Sequence, residues 1–282
     1  MKPVLRVLAN VHVYVAHIKN PAIAFSPRSC NACICKSHVA WQLSLWLAVI
    51  LLGVPFPLCA TSIIAVRTDT GFVIAADSGS SDDNGNHLPV LTCKLFSVGK
   101  SVIFGIAGLE RGPGFSPESE LRKDIKGSDL RVMADSIETA IVPLLKQQAE
   151  RLRRDAPHRF EESRTSDMFQ FFIATSTDYV SRGYKISVNP DQTIQIVPGT
   201  KDCIGNACKV GMVLRLGRTE EIDSFVISGP HERFKSYDDE ATYFVNLEIS
   251  SHPTDTSLPV DLLEITRAGI EWKHQKAGCK KN

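Results

Sequence analysis

From residue 61 onward, apolar positions follow two rhythms. TSIIAVR (61–67) and GFVIAAD (71–77) are short, β-branched runs separated by the turn Asp69-Thr70-Gly71. That pattern predicts a β-hairpin. SGSSDDNGNH (78–87) is polar and predicts a loop. CKLFSVG (93–99) and SVIFGIAG (101–108) predict a second hairpin, closed at Gly99-Lys100. Residues 111–127 collect Gly, Pro, Ser and charge, and predict a long surface loop.

The rhythm then changes to steps of three and four. Leu130, Met133, Ile137, Ile141, Leu144 and Leu145 predict a helix over 128–155, capped by Ser128, with a kink or break at Pro143. FQFFIATST (169–177) and GYKISVNP (183–190) predict a further strand pair, followed by QTIQIV (192–197). Residues 236–252 predict a second long helix with Ser236 as cap, and PVDLLEITR (259–267) with GIEW (269–272) a closing hairpin. Strand runs flanking long helices, without regular β–α alternation, point to the α+β class: antiparallel sheets with helices packed on them.

The first 60 residues follow a different pattern. LWLAVILLGV (45–54) is an unbroken apolar run, preceded by Lys36 and followed by Pro55, Pro57 and Leu58-Cys59-Ala60. This is the order of a secretory signal, with Ala60 at the cut. Residues 39–60 are 22 positions without a charge, so an uncleaved membrane anchor is the alternative. The expected organisation is a leader (1–60), a domain (61–275) and a basic tail (276–282). An exported protein follows if the leader is cleaved, and a membrane-anchored one if it is not.

Composition narrows the classes. An apolar fraction of 43% and a charged fraction of 22% exclude collagen-like, disordered and multi-span membrane chains. The net charge of +1 hides an asymmetry: residues 1–60 carry five Lys/Arg and no Asp/Glu, leaving 27 Lys/Arg against 31 Asp/Glu in the body. A mildly acidic body argues against nucleic acid as a partner.

Of eight cysteines, Cys30, Cys33 and Cys35 form C-x-x-C-x-C in the leader, which falls short of a closed four-ligand metal site. The body keeps Cys93, Cys203, Cys208 and Cys279. Cys203 and Cys208 bracket a turn-rich tetrapeptide, either as a loop disulfide or as two free thiols.

Cleavage after Ala60 would make Thr61 the N-terminal residue. Such a threonine carries a nucleophilic hydroxyl and, on the same residue, an α-amine of ordinary pKa about 7.7–8.0 to act as its base. Asp77 ends the strand paired with the one that Thr61 begins, so antiparallel pairing brings both to one mouth. Lys94 opens the next strand. A buried lysine beside the hydroxyl would favour the alkoxide, with Asp77 orienting it. Gly108, ending the fourth strand, would let a backbone N–H approach a substrate carbonyl.

The stretch from TSIIAVRTDTGFVIAADS through CKLFSV to IFGIAGL resembles the N-terminal half of a proteasome β-subunit, a family of N-terminal-nucleophile hydrolases. The resemblance implies a four-layer αββα sandwich. It sets Thr61 on the catalytic threonine, Asp77 and Lys94 on its aspartate and lysine, and Gly108 on the oxyanion glycine. In HPTDTSLP, Thr256 takes the register of a supporting serine, with Asp255 or Ser257 if the register slips. Ala60 stands where such precursors usually carry glycine, so a signal-peptidase cut could free Thr61 without autolysis.

The expected function is a threonine-type peptidase acting on peptide amides. The alternatives are an amidase for small acyl amides, and a non-catalytic or membrane-tethered scaffold with Thr61 still blocked. The resemblance leaves a homo-oligomer open beside a monomer. No nucleotide-binding loop, complete zinc signature or phosphate cradle appears, and no cofactor is expected.

Overall fold

The computed structural model describes residues 61–80, 91–109, 114–217, 219–228, 234–253 and 256–279. The leader, with its apolar run and its cysteines, lies outside them.

β1 (Ser62–Arg67) and β2 (Gly71–Ala76) form the expected hairpin, with Ile63 opposite Ala76. Both are nearly continuous apolar runs because both faces of their sheet are covered. Ile63 and Ala65 enter one core, whereas Ile64 and Val66 enter another, as the two-residue period of a strand requires. β9 (Asp261–Thr266) pairs with β2, β10 (Gly269–His274) with β9, and β8 (Val213–Gly217) with the other edge of β1. The order is β10-β9-β2-β1-β8.

The second sheet runs β3 (Leu95–Val98), β4 (Val102–Gly108), β5 (Phe169–Ala174), β6 (Tyr179–Val188) and β7 (Ile194–Cys203), in that spatial order and antiparallel throughout. β6 and β7 are longer than their apolar cores suggest, and β8 was not expected. Its cue is the alternation Leu214-Arg215-Leu216, whose three residues are too few to stand out.

Five helices are found among the described residues: α1 (Pro117–Asp124), α2 (Leu130–Asp155), α3 (Pro157–Thr165), α4 (Glu220–Ser228) and α5 (Tyr237–Ser251). Three cores separate four layers. Leu121 of α1, Ile137 and Ile141 of α2 and Phe160 of α3 pack on the outer face of the second sheet. Ile63, Phe72, Phe172 and Leu263 fill the space between the sheets. Ile222 of α4 and Phe244 and Val245 of α5 cover the outer face of the first. This is the αββα sandwich that the resemblance to proteasome β-subunits implied.

Three local expectations are corrected. α2 runs unbroken through Pro143, which lies on its exposed face, so the break expected as one alternative does not occur. A mid-helix proline costs ~3 kcal/mol, but burying side chains such as Met133, Ile137, Ile141, Leu145 and Leu152 stabilises by about 1.5–3 kcal/mol each, so burial wins. The cap of α2 is Asp129 rather than Ser128; its carboxylate accepts from the N–H of Arg131 at 2.9 Å and of Val132 at 3.3 Å. The loop expected at 111–127 contains α1, which buries Leu121. Pro117 opens α1, Glu118 and Glu120 lie in its first turn and Arg122 and Lys123 in its last, a charge order that suits the helix dipole.

Candidate active site

Thr61 immediately precedes β1 and Asp77 immediately follows β2, so the antiparallel hairpin sets them at one end of the first sheet. Ser62 N–H donates to Asp77 Oδ1 at 2.8 Å, and Asp77 N–H donates back to the Ser62 carbonyl at 3.2 Å. Lys94 precedes β3 on the edge of the second sheet. Its ammonium crosses between the sheets and donates to Thr61 Oγ1 at 2.5 Å. Thr61, Asp77 and Lys94 are each 0% exposed.

That geometry has a chemical direction. A protonated lysine is only a donor, so the threonine oxygen must accept. The hydroxyl proton is then turned away from Lys94, and the adjacent positive charge favours the alkoxide.

Asp77 is held in place by the backbone. The Asp77 carboxylate takes backbone donors on both oxygens: Ser62 on Oδ1, Gly79 on Oδ2 at 2.6 Å and Ser257 on Oδ2 at 3.3 Å. Burial pushes the Asp77 carboxyl above its ordinary pKa; the Lys94 charge, the Ser62 and Gly79 N–H groups and the Lys276 charge pull the other way. Asp77 therefore ties the strand ends together and balances the charge of Lys94.

Gly108 ends β4 with φ +87°, in the left-handed region. A Cβ there would stand 2.6 Å from the Met168 carbonyl oxygen, which already accepts from Leu109 N–H at 2.8 Å. Only glycine suits this backbone. The end of β4 is tied to Thr61 through β8. Gly217, with φ +82°, pairs with Ser62, and a Cβ on it would fall on the Thr61 carbonyl oxygen and lie 3.5 Å from Ala107 Cβ. Gly217 N–H donates to Gln170 Oε1 at 2.8 Å, and Gln170 Nε2 donates to Asp167 Oδ2 at 2.7 Å. Gln170 itself pairs with Ala107. The ends of β1, β4, β5 and β8 thus converge.

Thr256 is not brought to the hydroxyl. It is 1% exposed, and its Oγ1 donates to the carbonyls of Glu248 at 3.3 Å and His252 at 2.9 Å at the C-terminal end of α5. The neighbour Ser257 makes the contact with Asp77, through its backbone. Asp255 lies outside the described residues.

Residues 276–279 are part of the site's frame. Cys279 forms a disulfide with Cys93, and Cys203 forms one with Cys208. Lys276 is 3% exposed. Four cysteines allow three pairings, and no spacing rule selects Cys93 for a partner 186 residues away. Gly217 and Lys276 were likewise missed, because each acts through a long-range contact that leaves no local pattern.

One group of three potential metal-ligating residues is found among the described residues: Glu220, Glu248 and His252, with atoms within 4.8 Å of one another. Helix geometry accounts for the buried member, since Glu248 Oε1 accepts from the N–H of Glu221 at 3.1 Å and of Ile222 at 3.0 Å at the start of α4. Among the described residues, no helix is long and apolar enough to cross a membrane.

No family model and no curated protein matches the chain. Among solved structures, the chain is similar to a Gly-1 mutant of Anbu from Hyphomicrobium sp. strain MC1, at 12% identity and a TM-score of 0.42, over 77% of this chain and 86% of that one.

Proposed function

We propose that the chain is the precursor of an N-terminal-threonine hydrolase, a threonine-type peptidase whose nucleophile is the Thr61 hydroxyl. The observation that carries this is the buried hydrogen bond from Lys94 Nζ to Thr61 Oγ1 at 2.5 Å. A lysine fully removed from water and aimed at a strand-end hydroxyl has no packing purpose that an apolar residue would not serve better. In the full-length chain the Thr61 nitrogen is an amide, because Ala60 precedes it. Removal of residues 1–60 converts it into a free amine beside the hydroxyl.

The released amine takes the hydroxyl proton as the oxygen attacks a substrate carbonyl, forming an acyl ester on Thr61 and returning the proton to the leaving amine. Lys94 steadies the developing alkoxide. The Gly108 N–H serves as oxyanion donor, a contribution of roughly 3–4 kcal/mol where such a donor is well placed. Water then hydrolyses the ester by the same steps. Peptide amides are the substrate class this chemistry favours; a small acyl amide would be cleaved in the same way. Two disulfides favour an oxidising compartment, which supports export through the leader.

N-terminal sequencing of the mature protein tests the first requirement, with Thr61 expected as the first residue. Thr61→Ala, made in protein that begins at residue 61, is expected to abolish cleavage of a peptide-amide library while the fold persists. Full activity in that variant would refute the proposal.

A further inference from the structure

Lys276 is a buried cation that the Thr61 chemistry does not use. Its ammonium donates to the Asp77 carbonyl at 2.6 Å and to the Thr92 carbonyl at 3.0 Å. It also pairs with Asp261 Oδ2 at 3.1 Å, and both side chains are 0% exposed. The Lys276 N–H donates to Asp261 Oδ1 at 2.8 Å. Asp261 in turn opens β9 directly opposite Ala76, the last residue of β2. Three residues beyond Lys276, Cys279 is bonded to Cys93, which lies between Thr92 and Lys94.

These contacts share one target. One arm of the Lys276 ammonium holds Asp77, the residue that follows β2. Another holds the chain two residues before Lys94. The disulfide fixes the residue immediately before Lys94. Thr61 belongs to the first sheet and Lys94 to the second, so the separation of these two strand ends decides whether the amine reaches the hydroxyl.

We propose that Lys276 is a positioning residue of the Thr61 site: anchored by Asp261 and the Cys93–Cys279 disulfide, it sets the spacing between the chain ends that carry Asp77 and Lys94. The inference rests on Thr61 being the nucleophile. Lys276 touches no reacting atom and works through two backbone carbonyls. Burial holds its ammonium below the ordinary lysine range, against the opposing pull of the Asp261 carboxylate and a smaller one from Asp77. Its charge also opposes the burial penalty on Asp77.

The position explains why the contact has to be a lysine. Two carbonyl oxygens and a carboxylate converge on one point, and an ammonium offers three donors there. An apolar side chain would take the ammonium from both carbonyls and from Asp261 Oδ2, leaving that carboxylate only the backbone N–H on Oδ1.

The test uses mature protein beginning at Thr61 and a tagged peptidyl β-lactone as probe. The hydroxyl opens the ring: the acyl C–O bond of the lactone breaks, an ester forms on Thr61 Oγ1, and the ring oxygen leaves as an alkoxide that takes a proton. Intact-mass spectrometry follows the rate, and dependence on probe concentration separates kinact from KI. Wild type is compared first with Lys276→Met and with the double variant Lys276→Met/Asp261→Asn. The double variant removes the unpaired buried charge and so restores stability lost in the single variant, while leaving the carbonyls of Asp77 and Thr92 unclipped.

A displacement of about 1 Å at a reacting centre costs on the order of 100-fold in rate. A loss of that size in kinact, with KI unchanged, is expected in both variants, even where thermal stability of the double variant matches wild type. Cys93→Ser/Cys279→Ser is expected to give a smaller loss of the same kind. A double variant with wild-type kinact would overturn the inference and leave Lys276 as a structural ion pair. Labelling of Thr61 in wild type and its loss in Thr61→Ala keep the two ideas apart. If wild type is not labelled at Thr61, the nucleophile assignment falls, and this inference with it.

Discussion

The Lys94 ammonium reaches the Thr61 hydroxyl from the opposite sheet, at 2.5 Å, with both residues 0% exposed. Removing an ammonium from water without compensation costs several kcal/mol. Here the compensation is the hydroxyl lone pair and the nearby Asp77 charge. The pair is therefore placed where a negative oxygen would be most strongly stabilised. Lys94→Met keeps the volume of the stem and removes the charge. The expected result is a loss of acylation on the order of 10²–10³-fold, the usual scale for removing a preorganised electrostatic donor. Rate measurements with a chromogenic peptide amide on the mature protein check this, and a loss under tenfold would separate Lys94 from the chemistry.

Asp77→Asn tests the other half of the arrangement. The carboxylate accepts from Ser62, Gly79 and Ser257 on two oxygens. An asparagine has one oxygen and one NH2, so in either orientation an amide group faces a backbone N–H. The variant is expected to lose about 3 kcal/mol of stability from the broken charged hydrogen bonds. Urea unfolding measures it, and an unchanged midpoint would mean that the three donors are satisfied elsewhere.

The contrast between Asp77 and Thr256 shows what was legible in the sequence. Thr61, Asp77, Lys94 and Gly108 each stand at a strand end, and strand ends follow from short apolar runs bounded by turn residues. Antiparallel pairing then brings Thr61 and Asp77 together with no further information. Thr256 stands in a segment without periodicity, where one position of slip changes which residue meets Asp77. Its hydroxyl is taken by the last carbonyls of α5, a contact that depends on where the helix stops. Charge-rich α1 and short β8 were obscured for a related reason: each buries few residues, and the contacts that hold it are distant in the chain. The Cys93–Cys279 bond is the extreme case, because nothing local to either cysteine points to the other.

Glu248 makes a prediction about pH. Its side chain is 0% exposed, and burial, with the nearby Glu220 and Glu221 charges, pushes its carboxyl above the ordinary range, against the N–H groups of Ile222 and Glu221. His252 Nε2 faces its other oxygen at 3.7 Å. With the folded pKa raised, the native state holds a proton that the unfolded chain has already released. This contribution to stability is full below the ordinary carboxylate pKa and is lost as pH rises through the folded value. Glu248→Gln retains an oxygen for the start of α4 and cannot ionise. Denaturation between pH 4 and 8 is expected to show a shallower decline in the variant than in wild type. An identical slope would assign the pH dependence to other groups.

Gly217→Ala probes the junction that the strand pattern did not announce. The residue ends β8 opposite Ser62, with φ +82°, and its missing Cβ is what leaves room for the Thr61 carbonyl. Two penalties would fall on the variant. A left-handed backbone costs a non-glycine residue about 1–2 kcal/mol. The added methyl would overlap a backbone oxygen, which cannot rotate away as a flexible side chain would. The strands must therefore move apart, and the residue that moves is Thr61. Gly217 N–H is held by Gln170, itself held by Asp167, so β8 is anchored and the displacement falls on the start of β1. The expected outcome is a loss of about 2 kcal/mol or more in stability, together with a fall in Thr61 acylation larger than that of a similarly destabilising change in the outer core, such as Ile141→Val. Equal rates at equal stability would show that the end of β8 does not govern where the hydroxyl lies.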